Sequence, residues 1–385
     1  MATTVETTPK GVEAMRYILT ILEGLPDTRQ ARKVRHKLVD VVALVLLATL
    51  GDADNWEEIE AFGRGHEEYL KHHLELPSGI PGHDTIRRVM ALIDPKAMEK
   101  IKQQWEQILN SEEGEKLKRI LNIDGKTLCG SGDINNRALH VVSVWSKTDG
   151  LCLGQEAIPA KSHEGAAIRE LLNHLNCTGQ TITIDAMGTQ KDIAEKIIRR
   201  KGQYVLAVKG NQGNLERDIR EYFGDGHLRK QTEEASGYCV TKEKARGGIE
   251  TREYYQTEDI EWLGRKEKWA GIKSIGMVRS RVEKRGKVTE QTRYYISSLP
   301  QEVEYFASAV RGHWAVESMH WQLDVTFRED ANKTLDKWAA LNLHTIRKFS
   351  LTLLKLMDLG KKYSIKTKRF LVGCNPAMAL DGFLG

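Results

Sequence analysis

The amino-acid sequence predicts an α/β fold, with a mixed sheet flanked by helices, an N-terminal helical domain and a strand-rich insertion before the last helices. Three observations carry this reading. Residues 16–112 repeat apolar side chains at helical spacing, as in Ala43, Leu46, Leu47 and Leu50. Residues 119–225 alternate short apolar runs with amphipathic ones in the order β-β-β-α-β-α-β-α. Residues 237–299 hold several runs of alternating polarity that read as strands. At 385 residues, 40% hydrophobic and 29% charged, the chain can bury a sizeable core, and low-complexity or collagen-like classes are excluded.

Taken in order, residues 1–15 are polar and read as a disordered tail. In the helical domain, Asp54-Asn55-Trp56-Glu57 marks a helix start with acids in the first turn, and Leu76–Gly82 is a loop on composition. Asp84 opens another helix, and one around Met98–Leu109 leads into the core. The core's first part covers 113–236. Arg119–Ile123 reads as a strand ending at Asp124-Gly125, and Ala138–Ser146 with Leu151–Ile158 as a hairpin about Lys147-Thr-Asp-Gly150. Glu164–Leu175 is helical, Thr181–Ile184 is a strand ending at Asp185, Gln190–Arg200 is helical, and Gln203–Val208 is a buried strand. Strand–helix–strand order over 181–208 implies a parallel pair with a right-handed crossover. The insertion spans 237–300, the last core helices 301–360, and a basic C-terminal segment 361–385.

Five cysteines at 129, 152, 177, 239 and 374, none in a CxxC, read as free thiols in a reducing compartment. The longest apolar run, Leu38–Gly51, contains Asp40 and is too short to span a bilayer. The N-terminus lacks a basic-then-apolar signal pattern, so no membrane partner and a cytoplasmic location are expected. The formal charge is +5, gathered unevenly. Thr241–Arg293 holds 14 Lys/Arg against 9 Asp/Glu, and Asn342–Gly373 holds 8 against one. Such stretches suit a polyanion, nucleic acid first, or are simply solvated faces.

The chemistry rests on carboxylates. Asp124 and Asp185 each follow a predicted strand, and ligands of open α/β sheets bind at that edge. On neighbouring strands they stand about 5 Å apart, where two like charges call for a hard divalent cation between them. The alternative is that each merely opens a turn. A third acid lies in Arg311–Asp324, which reads as one helix. There His313, Glu317, His320 and Asp324 share a face. Those four side chains also fit a zinc spacing, without an HExxH, or a buried polar face.

These segments resemble a known family. Asp124-Gly-Lys-Thr, Ile184-Asp-Ala, Val208-Lys-Gly-Asn-Gln, His313-Trp-Ala-Val-Glu and His320-Trp-Gln-Leu-Asp-Val-Thr-Phe-Arg-Glu-Asp330 resemble the H-repeat-associated (ISAs-type) insertion-sequence transposases, of the DDE superfamily with an RNase H-like core. Gly82–Arg88 resembles the helical domain preceding that core, and the likeness spans about 17–370. The resemblance implies an RNase H-like sheet with Asp124 and Asp185 on neighbouring strands and Glu317 on a later helix. Together they would hold two Mg²⁺ or Mn²⁺ ions for divalent-metal-dependent cleavage and strand transfer of DNA at the element's terminal repeats, with a homodimer acting on terminal-repeat and target DNA in a prokaryotic nucleoid. Many related enzymes carry Arg and Lys at the positions of His313 and Asp324. Lys126, Lys209, His313 or His320 are the candidate substitutes for phosphate binding, and Asp324 is a candidate further metal ligand. Asn211, Arg87 and Arg88 are further candidate DNA contacts. An RNase H-like nuclease without joining activity, and a catalytically inactive DNA-binding relative, are the alternatives.

Overall fold

The computed structural model describes residues 18–110, 119–146, 148–158, 163–245 and 248–377. The expected tail at 1–15 and the expected boundary at 112/113 lie outside the described residues. Helices come first. After a helical stretch at 18–22 come α1 (Leu38–Leu50), α2 (Trp56–Gly65), a short turn of helix at Glu67–Leu70, α3 (His83–Met90) and α4 (Pro95–Asn110). The Asn55 side chain caps α2 by accepting from Glu58 N at 2.8 Å, the arrangement that its Asn-x-x-Glu start favours. Pro95 opens α4 rather than ending its predecessor, because the first position of a helix needs no N–H donor.

The strands are β1 (Ile120–Leu128), β2 (Leu139–Ser146), β3 (Leu151–Ala157), β4 (Thr181–Ile184), β5 (Gln203–Val208), β6 (Tyr238–Ala245), β7 (Gly248–Thr257), β8 (Ser274–Lys284) and β9 (Lys287–Ser297). Between them lie α5 (Glu164–His174), α6 (Lys191–Arg199), α7 (Gly213–Gly224) and α8 (Gly226–Glu234). The chain closes with α9 (Val303–Trp321), a π-helical turn at Gln322–Thr326, α10 (Lys337–Leu356) and α11 (Ile365–Cys374).

All nine strands form one sheet in the order β3-β2-β1-β4-β5-β9-β8-β7-β6. β1, β4 and β5 run parallel, while β1–β2–β3 and β5–β9–β8–β7–β6 pair antiparallel. The first five strands in that order are the RNase H-like half. The strands of 237–300 do not form a separate sheet, since β9 docks on β5 through Val205↔Ser297 to Val208↔Tyr294. β1 is also longer than its apolar run suggests. Its antiparallel ladder with β2 continues to Leu128↔Leu139, so Asp124 lies within the strand, opposite Ser143.

Both faces of the sheet are covered. Ile168, Leu172, Ile193, Ile197, Ile219 and Phe223 of α5–α7 pack on Ile123, Ile182, Ile184 and Leu206. On the other face, Val303, Phe306 and Val310 of α9 pack against Val205, Tyr254, Val278 and Tyr295. Gly276 of β8 allows this approach, because a Cβ there would meet the Phe306 ring at 2.4 Å. Val316, Met319 and Leu323 continue into a second core shared by α1–α4 and α10. Trp105 and Phe349 meet there at 5.1 Å between centroids.

The basic run 342–373 is largely an internal device. Of its eight cations, Arg347, Lys348, Lys368 and Arg369 are buried. Lys348 donates to Ser143 Oγ (2.7 Å) and Gln155 Oε1 (2.6 Å), while Lys368 donates to the Leu354 carbonyl (2.7 Å). Arg369 donates to the carbonyls of Thr49 and Ala53 and pairs with Asp54 at 2.8 Å. It thereby ties α11 to the end of α1, where orphan carbonyls need donors. The reading of this run as a polyanion-binding stretch therefore shrinks to its exposed members, Lys355, Lys361, Lys362 and Lys366.

Arg369→Ala should cost roughly 2–3 kcal/mol in urea unfolding, because it leaves the Thr49 and Ala53 carbonyls without their donor and Asp54 with Arg328 alone. Lys361→Ala, on the surface, should stay within about 0.5 kcal/mol.

Candidate active site

Parallel pairing of β1 and β4 runs in register from Ile120↔Thr181 to Ile123↔Ile184. Asp124 and Asp185 each come one residue later, so they emerge side by side. β4 stops there because Asp185 turns the chain: its Oδ1 accepts from Gly188 N at 3.1 Å. Thr189 Oγ1 then ties the turn to the Asp185 carbonyl (3.0 Å) and the Ala207 carbonyl (2.7 Å). From the loop after β5, Asn211 donates to the Ala186 carbonyl and Gln212 to the Thr189 carbonyl at 3.2 Å. The Lys-Gly-Asn-Gln segment thus braces the Asp185 turn, while exposed Lys209 faces the cavity.

The third acid arrives on α9, seated on the sheet by a polar row. Asn122 and Thr183, cross-strand partners in the β1–β4 ladder, are joined by a Thr183 Oγ1 to Asn122 Oδ1 bond of 2.8 Å. His313 Nδ1 lies 3.0 Å from the same hydroxyl. The threonine has one proton and spends it on Asn122, so His313 Nδ1 donates, leaving Nε2 as the acceptor nitrogen of the neutral ring. Thr181 meets Tyr305 Oη at 2.9 Å about two turns earlier on α9. Glu317 follows His313 by four residues on the same face.

Asp124, Asp185 and Glu317 all line one cavity of about 160 Å³, together with Lys209, Arg293, Tyr294, Tyr295, His313 and Trp314. Burial alone would raise the Asp124 carboxyl, but His320, whose Nδ1 is 3.4 Å from Oδ2, and His313 outweigh it and hold the group below the usual range. Burial pushes His313 below an ordinary histidine, against the pull of Asp124, Asp185 and Glu317.

Sequence reasoning missed two residues here. Glu164, read only as a helix start, stands at the N-terminus of α5 near Asp185 and Asp124, outside the cavity lining. A Cβ on Gly125 would meet its Oε1 at 2.8 Å and His140 Nε2 at 2.4 Å, so a larger residue beside Asp124 would displace both side chains. Burial, then repulsion from Asp185 and Asp124, pushes Glu164 up to about 7. The available signal was an acid soon after a strand at the sheet's ligand edge. The other residue is Arg293, whose signal was its alternation with apolar Tyr295 on β9.

Other residues singled out in the sequence fall elsewhere. Lys126 is buried and its Nζ is shared by Asp324 (2.6 Å), Asp330 (3.2 Å) and Glu329 (3.3 Å). Asp324 is thereby engaged outside the cavity lining. Arg87 and Arg88 are exposed on α3, where Arg87 pairs with Asp84 at 3.0 Å and Arg88 Nε donates to the Asp84 carbonyl. Neither lines the cavity. Tyr254 of β7 and Trp269 of the β7–β8 connection are core residues, and Trp262 of the same connection stacks on Tyr222 at 5.1 Å.

The three carboxylates on neighbouring walls of the cavity are hard oxygen donors that fit a divalent cation, with the His313 imidazole beside them. Among the described residues, no three His, Cys, Asp or Glu side chains are gathered as the ligands of one ion. Asp124 is engaged by His320 through Oδ2 and Asp185 by Gly188 N through Oδ1, so each carboxylate keeps its second oxygen for a cation.

Acids from two neighbouring parallel strands and a crossing helix converge on one cavity of the sheet. The chain belongs to the transposase DDE family: the family model described as "Transposase DDE domain" matches residues 115–353, and "DDE_Tnp_1-associated" matches 19–106. It is 40% identical over 371 residues to "Putative transposase YncI" of Escherichia coli O157:H7, covering 94% of this chain and 93% of that one. It is 40% identical over 348 residues to "H repeat-associated putative transposase YhhI" of Escherichia coli K12, covering 88% and 90%. Among solved structures it is similar to a piggyBac transposase synaptic complex with hairpin DNA, with a TM-score of 0.44 and 11% identity over 97% of this chain and 77% of that one.

Beneath the cavity, Glu329 pairs with His344 (2.8 Å) and Arg347 (3.4 Å) as well as Lys126. Burial opposes charge on Glu329, but His344, Arg347 and Lys126 hold it ionised well below the usual range. Burial pushes His344 down to about 4, from an ordinary 6.5. Between those values the unfolded chain takes up a proton that the folded chain refuses, so stability falls as pH drops from about 6.5 towards 4. Below the ordinary glutamate range Glu329 adds a loss of the same sign. Thermal unfolding across pH 8 to 4 should show Tm falling over that window, and His344→Gln should give a shallower profile from a lower starting Tm.

Proposed function

We propose that this protein is a DNA transposase that cleaves and joins strands at the ends of its insertion sequence, with Mg²⁺ or Mn²⁺ held by Asp124, Asp185 and Glu317. One observation carries the reading: three acids separated by 60 and more residues in the chain line a single cavity. Bound there, divalent ions would supply Lewis acidity to the phosphorus centre and ease deprotonation of an attacking water or 3′-hydroxyl. The chain's own part is to fix the geometry. The β1–β4 register holds Asp124 and Asp185 abreast, and the Thr183–His313 contact sets the rotation of Glu317. His313 stays neutral there, with Nε2 as a proton acceptor at the cavity.

No covalent nucleophile is needed for this chemistry, and the arrangement supplies positioning and charge instead. DNA carrying the terminal repeats, and target DNA, are the partners. Cutting two ends in concert calls for two active sites, hence a homodimer assembled on DNA. A nuclease of the same fold would use the same residues, and only the joining step separates the two. Among the described residues, no helix is long and apolar enough to cross a membrane.

Asp124→Asn, Asp185→Asn and Glu317→Gln should each lower metal-dependent nicking of terminal-repeat DNA by about a thousandfold or more, while duplex affinity in Ca²⁺ stays within about threefold. A pre-cut 3′-OH end should be joined to target DNA by the unmodified protein. Normal cutting by Asp185→Asn would refute the assignment, and cutting without joining would leave a nuclease.

A further inference from the structure

The cavity has three acids and must admit a polyanion, so it needs a cation that is not already spent. Its neighbours mostly are. Lys126 is shared among Asp324, Asp330 and Glu329. Arg311 pairs with Glu243 at 2.8 Å, and Arg252 with Glu250 and with Glu243 at 3.2 Å. The position seven residues after Glu317, Asp324, carries a negative charge, and His313 is held neutral by burial.

Arg293 differs. It sits on β9 opposite Val278 of β8, one residue before Tyr294, the partner of Val208 at the end of β5. This puts it on the sheet edge from which Lys209 and the Asp185 turn emerge. It lines the cavity beside Asp185 and Glu317. Its guanidinium lies 5.6 Å from the centroid of the Trp314 ring, and the Tyr295 hydroxyl stands beside it. Its Nε is buried and has no hydrogen-bond partner. Leaving such a donor unmade costs stability, a cost that a bound acceptor would remove.

We propose that Arg293 is the phosphate clamp of this site, donating through its guanidinium to a non-bridging oxygen of the DNA phosphate presented to Asp124, Asp185 and Glu317. The proposal rests on the transposase reading above and adds to it the group that orients the reacting phosphate. Arginine suits the task because its planar fork meets phosphate oxygens in a fixed geometry. The Trp314 face holds that plane in place through a cation–π contact.

The experiment compares the full-length protein with Arg293→Gln and Arg293→Lys, using Asp124→Asn as the inactive control. Nicking of supercoiled plasmid in Mn²⁺ is measured at saturating DNA. In parallel, affinity for a fluorescent 30-base-pair duplex in Ca²⁺ is followed against salt. Arg293→Gln should slow nicking by about a hundredfold or more and lower the salt slope of binding by about one. Arg293→Lys should keep the slope and stay at least about tenfold slow, since an ammonium cannot present the fork. Both variants should melt within a few degrees of the unmodified protein. If Arg293→Gln does not fold, the Arg293→Lys pattern of kept slope and lost rate decides the matter.

Arg293→Gln nicking at near-normal rate while Asp124→Asn is inactive would overturn the clamp and leave the transposase reading standing. Nicking by Asp124→Asn would instead overturn that reading. In that event the binding arm still decides on Arg293, because an unchanged salt slope in Arg293→Gln would exclude a phosphate contact.

Discussion

The site depends on the parallel pairing of two short strands. β4 has only four residues, all buried, and its register against β1 decides whether Asp124 and Asp185 emerge together. A slip of one residue would turn Asp185 to the opposite face, towards α5 and α6. Two features hold the register. Ile182 and Ile184 fill the helix-covered face, while Thr181 and Thr183 face α9. The second feature is specific: Thr183 bonds Asn122 across the ladder and His313 on the helix above. One hydroxyl therefore couples strand register to helix rotation. A polar row inside a core is costly unless every group is met, and here meeting them sets the position of Glu317.

Electrostatics around the cavity follow from that convergence. Asp124, Asp185, Glu164 and Glu317 bring more negative charge than the protein compensates locally. The chain answers in three ways. His320 leans on Asp124, burial with its acidic neighbours pushes Glu164 up to about 7, and Arg293 sits on the far wall. Lys126, by contrast, serves the fold. With Asp324 it forms a pair in which the acid is on the helical side and the cation on the strand. The cation thus ends in a buried cluster with Glu329, His344 and Arg347, below the cavity floor.

Much of this was legible in the sequence, and the misses share a cause. Element type followed from local periodicity, so β2, β3, β4, β5, α5, α6 and α10 fall where spacing puts them. The two strand-borne acids could be paired because each followed an apolar run at the sheet's ligand edge. Long-range partners were not legible. Asp124 was expected at a strand end, but β2 extends the strand beyond its apolar stretch, and nothing local to 119–128 reports that. The basic run 342–373 looked like a surface for a polyanion because charge in a sequence carries no sign of burial. Arg347, Lys348, Lys368 and Arg369 are met by backbone carbonyls and acids from positions 49–54, 329, 354 and 357 and by the Ser143 hydroxyl and the Gln155 amide oxygen. The packing of α10 and α11 on the N-terminal helices, and of α10 on β2 and β3, brings these together.

The inserted strands are part of the site rather than an appendage. An insertion folded as its own unit would be free to move relative to Glu317, and its arginines could serve only as a loose electrostatic field. Docking β9 onto β5 makes the added strands continue the sheet that carries Asp124 and Asp185. Gly276 then lets Phe306 of α9 lie directly on β8, so the helix bearing Glu317 packs on the inserted half as well as on the first half. Trp314 completes the junction, with Arg252, Arg293 and Arg311 at 4.6, 5.6 and 5.3 Å from its ring. Two of those cations are neutralised by Glu243 and Glu250 and hold the helix to the strands. The third is left facing the acids. Rigid continuity of the sheet is what allows one arginine from the insertion to be aimed, to within a side-chain rotamer, at a cavity built by the other half of the chain.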